Sequence, residues 1–127
     1  MTPMMHERVR NLFGNAGLTD GFTVQKLMYD DPKNLNVGVI VFRPAGGTAI
    51  RTDLGAEHYV MVDVVGAKEK RGDAAAAVQK IIDYVQLHPM DDPCVGYIQN
   101  MGGIPPPVLT EEGRIVFRLQ FSCNYGE

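Results

Sequence analysis

The segment from Ile115 to Tyr125 alternates along nearly all of its length. Ile115, Phe117, Leu119, Phe121, Cys123 and Tyr125 fall on one side of an extended chain, and Arg114, Arg118, Gln120, Ser122 and Asn124 fall on the other. Successive side chains of a strand point to opposite faces, so this spacing predicts one long strand with an apolar and a polar face. A strand of this kind finishes a sheet and presents a polar surface. It offers no place for chemistry and points to assembly rather than catalysis.

The rest of the chain supplies a helix, three strands, a second helix and one more strand before that ending. Thr2 and Pro3 read as an N-cap and a first-turn proline, and Met5, Val9, Leu12 and Phe13 follow at helical spacing. Val24 to Tyr29 reads as a strand stopped by Asp30-Asp31-Pro32. Val37 to Phe42 is a continuous apolar run, the pattern of a strand buried on both faces. Glu57 to Val65 alternates, with Val60, Val62 and Val64 opposite Tyr59, Met61 and Asp63. Between these two strands, Pro44 to Ala56 is long for a hairpin loop and is expected to project as a mobile arm.

The second helix is predicted from Asp73 as N-cap, the run Ala74 to Ala77, and the stripe Val78, Ile81, Ile82 and Val85. His88-Pro89 ends it, because a residue before proline avoids the helical region. Val95 to Met101 is the next strand, and Pro105-Pro106-Pro107 reads as a rigid extended connector into the closing one. The expected fold is α+β: a mainly antiparallel or mixed five-stranded sheet with two helices packed on one face. At 127 residues it forms a single domain, long enough to bury a core without staples.

Composition excludes several function classes. A net charge of −3 lacks the clustered positive field that a grip on nucleic acid requires. No apolar run reaches the roughly 20 residues of a membrane span, and no export signal stands at the N-terminus. Cys94 and Cys123 are therefore expected as reduced thiols, with Cys123 a small buried hydrophobe on the apolar face of its strand. Cytoplasm is the default compartment.

Candidate chemistry is sparse. His6, His58 and His88 lie on three separate elements, without zinc or Cys-His spacing. Asp30-Asp31, Asp91-Asp92 and Glu111-Glu112 are acidic pairs, but adjacent side chains on an extended segment point apart, and aspartate before proline is turn chemistry. Gly46-Gly47 and Gly102-Gly103 lack the Gly-Lys-Ser/Thr ending of a phosphate loop. Lys68, Lys70 and Arg71 flank a glutamate and read as a solvated loop. No catalytic, cofactor-binding or metal-binding residue is assigned.

Four stretches carry a family resemblance. They are Val41 to Gly47, Tyr59 to Val64, the helix Ala75 to Val85, and Ile98 to Pro107 together with the closing strand Arg114 to Tyr125. In their order the chain resembles the tail-terminator proteins of long-tailed phages, also described as minor tail or minor capsid proteins. The resemblance implies a non-enzymatic, structural protein, often borne by a prophage. It implies a ring, usually a hexamer, that caps the tail tube and offers its other face to the head connector. Partners would be further copies of the chain, the tail-tube protein and the head-completion protein, in the host cytoplasm and then in the virion. A mildly acidic channel would let DNA slide rather than hold it.

On that reading the arm residues Ile50, Arg51, Asp53 and Leu54 and the polar-face residues Arg114, Arg118 and Gln120 are the expected assembly contacts. Two other readings stay open. One is a small enzyme or ligand-binding domain, with the acidic pairs and His58 lining a cleft between helices and sheet. The other is a dimeric adaptor.

Overall fold

A computed structural model describes residues 4–30, 36–47, 56–68, 70–110 and 113–125. The elements run α1 (Met5–Asn15), β1 (Phe22–Lys26), β2 (Gly38–Gly47), β3 (Ala56–Val65), α2 (Arg71–Leu87), β4 (Tyr97–Met101), β5 (Val108–Leu109) and β6 (Ile115–Tyr125). They form an α+β fold around one open, mixed sheet ordered β1-β2-β3-β6-β4. β1 runs parallel to β2, and every other pairing is antiparallel. The sixth strand, β5, sits beside the start of β6, with Val108 opposite Val116 and Leu109 opposite Ile115.

Alternation in β3 and β6 is realised residue by residue. Val60 pairs with Phe121, Val62 with Leu119 and Val64 with Phe117, all buried on one face. Ile40 and Phe42 of β2 extend that apolar face, while Val39 and Val41 are buried on the other, as expected for a strand covered on both sides. α1 and α2 lie on the first face, contributing Val9, Leu12 and Phe13, and Val78, Ile81, Ile82 and Val85. Phe13 meets the rings of Phe42 at 5.9 Å and Phe121 at 5.6 Å, both edge-on. One side chain thus ties α1 to β2 and β6. Its burial is worth about 1.5–3 kcal/mol, and each ring pair adds roughly 0.5–1.5 kcal/mol.

Several boundaries depart from expectation. β1 spans Phe22–Lys26 rather than Val24 to Tyr29, because Leu27 turns to φ 73° and donates its N–H to the Phe42 carbonyl. α2 starts at Arg71 with Lys70 as N-cap, so Asp73 lies inside the first turn, where its charge complements the helix dipole. α1 follows Met4, which makes no side-chain cap; Thr2 and Pro3 lie outside the described residues. Of the expected arm, Pro44 to Gly47 belong to β2 and Ala56 to β3, joined through a register shift between Pro44 and Gly47. An irregularity of this kind accommodates a proline that cannot donate to the ladder.

Candidate assembly surface

With both helices on one side, the opposite face of β3, β6 and β4 carries the polar half of the alternation. At its centre Asp63 lies opposite Arg118 and beside Val41. Its Oδ1 accepts from Arg118 Nε at 3.2 Å, and its Oδ2 is 3.1 Å from an Arg43 guanidinium nitrogen. Asp63 is buried, whereas the Arg118 side chain is 61% exposed. Two arginines on one aspartate leave a net positive charge, with the exposed guanidinium at its outer edge. Arg43 also reaches the Met61 sulfur at 2.9 Å. Gln120, half-buried, is paired with Met61 and Met101 on its flanking strands, and Ser122 donates to Glu57 at 2.6 Å.

Arg118 and Gln120 thus share one surface. Arg114 does not join them. It precedes the first residue of β6 and is fully buried, donating to the carbonyls of Val37 at 2.6 Å and Gly66 at 3.3 Å. A buried guanidinium that ties three chain segments serves the subunit's own fold, a correction to its expected place among surface contacts. Alternation alone cannot reveal this, because it continues by one residue past the point where the strand begins. Ile50, Arg51, Asp53 and Leu54 lie outside the described residues.

Among the described residues, Asp30, Asp91 and Asp92 do not share a cleft with His58. Asp91 accepts from the Tyr84 hydroxyl at 2.5 Å, and burial followed by that bond pushes the phenol up to about 12. Asp92 caps the next turn, accepting the Cys94 N–H at 2.8 Å. These two carboxylates line an open depression of about 390 Å³ with Leu12, Asn15 and Pro93, and no histidine is among its walls. Asp30 is fixed by its backbone, which exchanges two hydrogen bonds with the Gln25 amide. Asp31, Glu111 and Glu112 lie outside the described residues. Among the described residues no group of three His, Cys, Asp or Glu side chains converges as a metal site.

His58 pairs instead with Cys123 across β3 and β6, a neighbourhood that spacing in the sequence gave no means to find. Burial lowers the His58 pKa, with Arg8 adding to the effect, and burial pushes the Cys123 thiol up to about 12. A thiol so protonated is no nucleophile near neutral pH. Cys123 is fully buried in the core, as the apolar face predicts, and Cys94 is exposed. A cleft of about 350 Å³ between the α1–β1 turn and the start of α2 carries Asp20, Lys70, Asp73 and Lys80 among glycines and alanines. Its charges are mixed. Among the described residues no helix is long and apolar enough to cross a membrane.

Comparison with known proteins bears on the fold and on the family. A solved structure of 14% identity superposes with a TM-score of 0.50, covering 98% of this chain and 99% of the other. At that identity the likeness is one of fold. No curated protein matches the chain. A family model described as phage tail termination protein matches residues 2–127. The chain belongs to the phage tail termination protein family, and its role is that of a structural component of a phage tail.

Proposed function

We propose that copies of this chain close into a ring, a hexamer on the family resemblance, that caps the tail tube and presents its other face to the head connector. The subunit acts without catalysis, first in the host cytoplasm and then in the virion. The observation that carries this reading is a sheet with helices on one face only. The other face ends in Arg118, Gln120 and an arginine-bracketed aspartate rather than in a second helical layer. An assembling subunit needs such a rigid sheet with polar groups held in register, which favours specificity of contact over bulk adhesion.

Light scattering over a concentration series, with negative-stain imaging alone and with tail-tube protein, tests the proposal. Rings are expected, in larger number when tube protein is present. A strictly monomeric protein at high concentration that also forms no ring with tube protein removes the proposal.

A further inference from the structure

On the open face of the sheet the Arg118 guanidinium is only half engaged. Its Nε donates to Asp63 at 3.2 Å, which fixes the plane of the group. Among the described residues neither Nη nitrogen has a partner, and the side chain is 61% exposed. Asp63 can give little more, since its other oxygen is 3.1 Å from an Arg43 nitrogen. What remains is a planar pair of donors held in place at the surface, the geometry that matches a carboxylate with two bonds. Two arginines against one aspartate also leave the spot positive.

A surface of the opposite sign lies on the helix side of the molecule. The depression of about 390 Å³ between the end of α1 and the turn after α2 presents Asp91 and Asp92, and its described walls hold no Lys, Arg or His. The Tyr84 hydroxyl holds one oxygen of Asp91, and the Cys94 N–H holds one oxygen of Asp92. Both carboxylates are thus positioned, and each keeps a second oxygen to accept from an incoming donor. Leu12 and Pro93 beside them offer an apolar wall for the methylenes of an arginine. The cleft at the start of α2 balances Asp20 and Asp73 against Lys70 and Lys80, so it offers no such sign.

The two surfaces face away from each other. Both helices pack on the side of the sheet that carries Val60, Val62 and Leu119, and Arg118 lies on the other. One chain cannot bring its own arginine to these aspartates, but a second copy can. A contact between unlike surfaces is heterologous: repeated with a rotation that closes it makes a ring, and without closure a filament.

We propose that Arg118 of one copy docks into the Asp91–Asp92 depression of the next, so that the open sheet face of each subunit packs against the helix side of its neighbour. This inference rests on the ring reading above and gives it a contact. Enclosing the ion pair takes it out of the salt screening that weakens exposed pairs, and an arginine seated in a pocket is a frequent anchor of protein interfaces.

Exchange of charge tests the contact in the intact chain, with tail-tube protein added where the chain alone does not assemble. Arg118→Glu sets like charges together, and so does Asp91→Arg combined with Asp92→Asn, which keeps an acceptor for the Cys94 N–H. By light scattering each variant should lose self-association by about tenfold or more, with an unchanged circular dichroism spectrum. An equimolar mixture of the two should regain it, in particles that alternate the two proteins, since every contact again joins opposite charges. Should either variant fail to fold, the milder Arg118→Gln and Asp91→Asn should still each weaken association. If wild type forms rings and the folded variants assemble as it does, or their mixture stays apart, the contact is wrong while the ring reading stands. If Arg118→Glu keeps its rings and loses only its binding to tail-tube protein, the open face belongs to the tube and the contact falls. If wild type forms no ring even with tube protein, both fall.

Discussion

Asp63 serves two arginines of unequal standing, and their substitution should separate them. Arg118 is mostly exposed, so its ion pair is screened and Arg118→Met should cost only about 0–1 kcal/mol. Asp63→Ala leaves two guanidiniums without their shared carboxylate and should cost about 1–3 kcal/mol. Arg114→Ala strips donors from two backbone carbonyls and opens a hole where a fully buried side chain stood; a loss on the order of 3 kcal/mol is expected. Urea denaturation of the three variants gives the ranking. If Arg114→Ala is no worse than Arg118→Met, Arg114 does not tie the fold together. His6 supplies a pH test. Burial, opposed by Glu7 and reinforced by Lys26, lowers its pKa below 6.5, and His58 is lowered too. The fold therefore favours neutral imidazole. Its contribution is complete above pH 6.5 and is lost as pH falls through that value to the lower folded one. Below pH 6.5 the unfolding free energy should decline with acid. His6→Gln should flatten that slope, and adding His58→Gln should flatten it further; an unchanged slope in the double variant would refute the assignment.

Elements were legible in the sequence where one residue pattern decides the outcome. β6 and β3 follow from strict alternation, and α2 from its alanines and a four-residue apolar stripe. β5 was not legible, since two residues, Val108 and Leu109, have no period and are made a strand by the part of β6 opposite them. The parallel pairing of β1 with β2 was equally hidden, because direction follows from the path of the connection rather than from either strand's side chains. Arg118 and Gln120 could be placed on the polar face from spacing alone, whereas the nearness of Arg43, Asp63 and Arg118 depends on three strands meeting in register. The turn into β4 makes a backbone demand that spacing cannot show. Gly96 has φ 79°, and a Cβ there would stand 2.2 Å from the Asn124 carbonyl oxygen, so β6 itself blocks any side chain. Gly102 has a similar φ of 82° with open space around it. Gly102→Ala should cost about 1–2 kcal/mol from the left-handed backbone alone. Gly96→Ala should exceed that and loosen β4, seen as faster amide exchange at Ile98 relative to β3. Equal melting temperatures for the two alanine variants would show that the close approach carries no weight.

At the scale of the whole molecule, contacts made within the subunit must be told apart from those left for assembly. The helix-covered face is complete, with α1 and α2 over the rows of β2, β3 and β6. Among the residues between Gly47 and Ala56 the only bulky apolar ones are Ile50 and Leu54. Two such side chains bring about 3–6 kcal/mol if fully buried, less than the roughly 8–16 kcal/mol needed to order eight residues of backbone. A surface supplied by another molecule would close that gap, with Arg51 and Asp53 setting register against it. Ile50→Ser combined with Leu54→Ser is therefore expected to leave the melting temperature of the isolated subunit within a degree or two, and to impair ring formation or docking to tail-tube protein. If those residues instead complete the subunit's own core, truncating both should cost about 4 kcal/mol or more, a shift exceeding 10 °C for a chain of this size. Calorimetry of the monomeric double variant decides between the two, because assembly cannot influence a subunit measured below its association range.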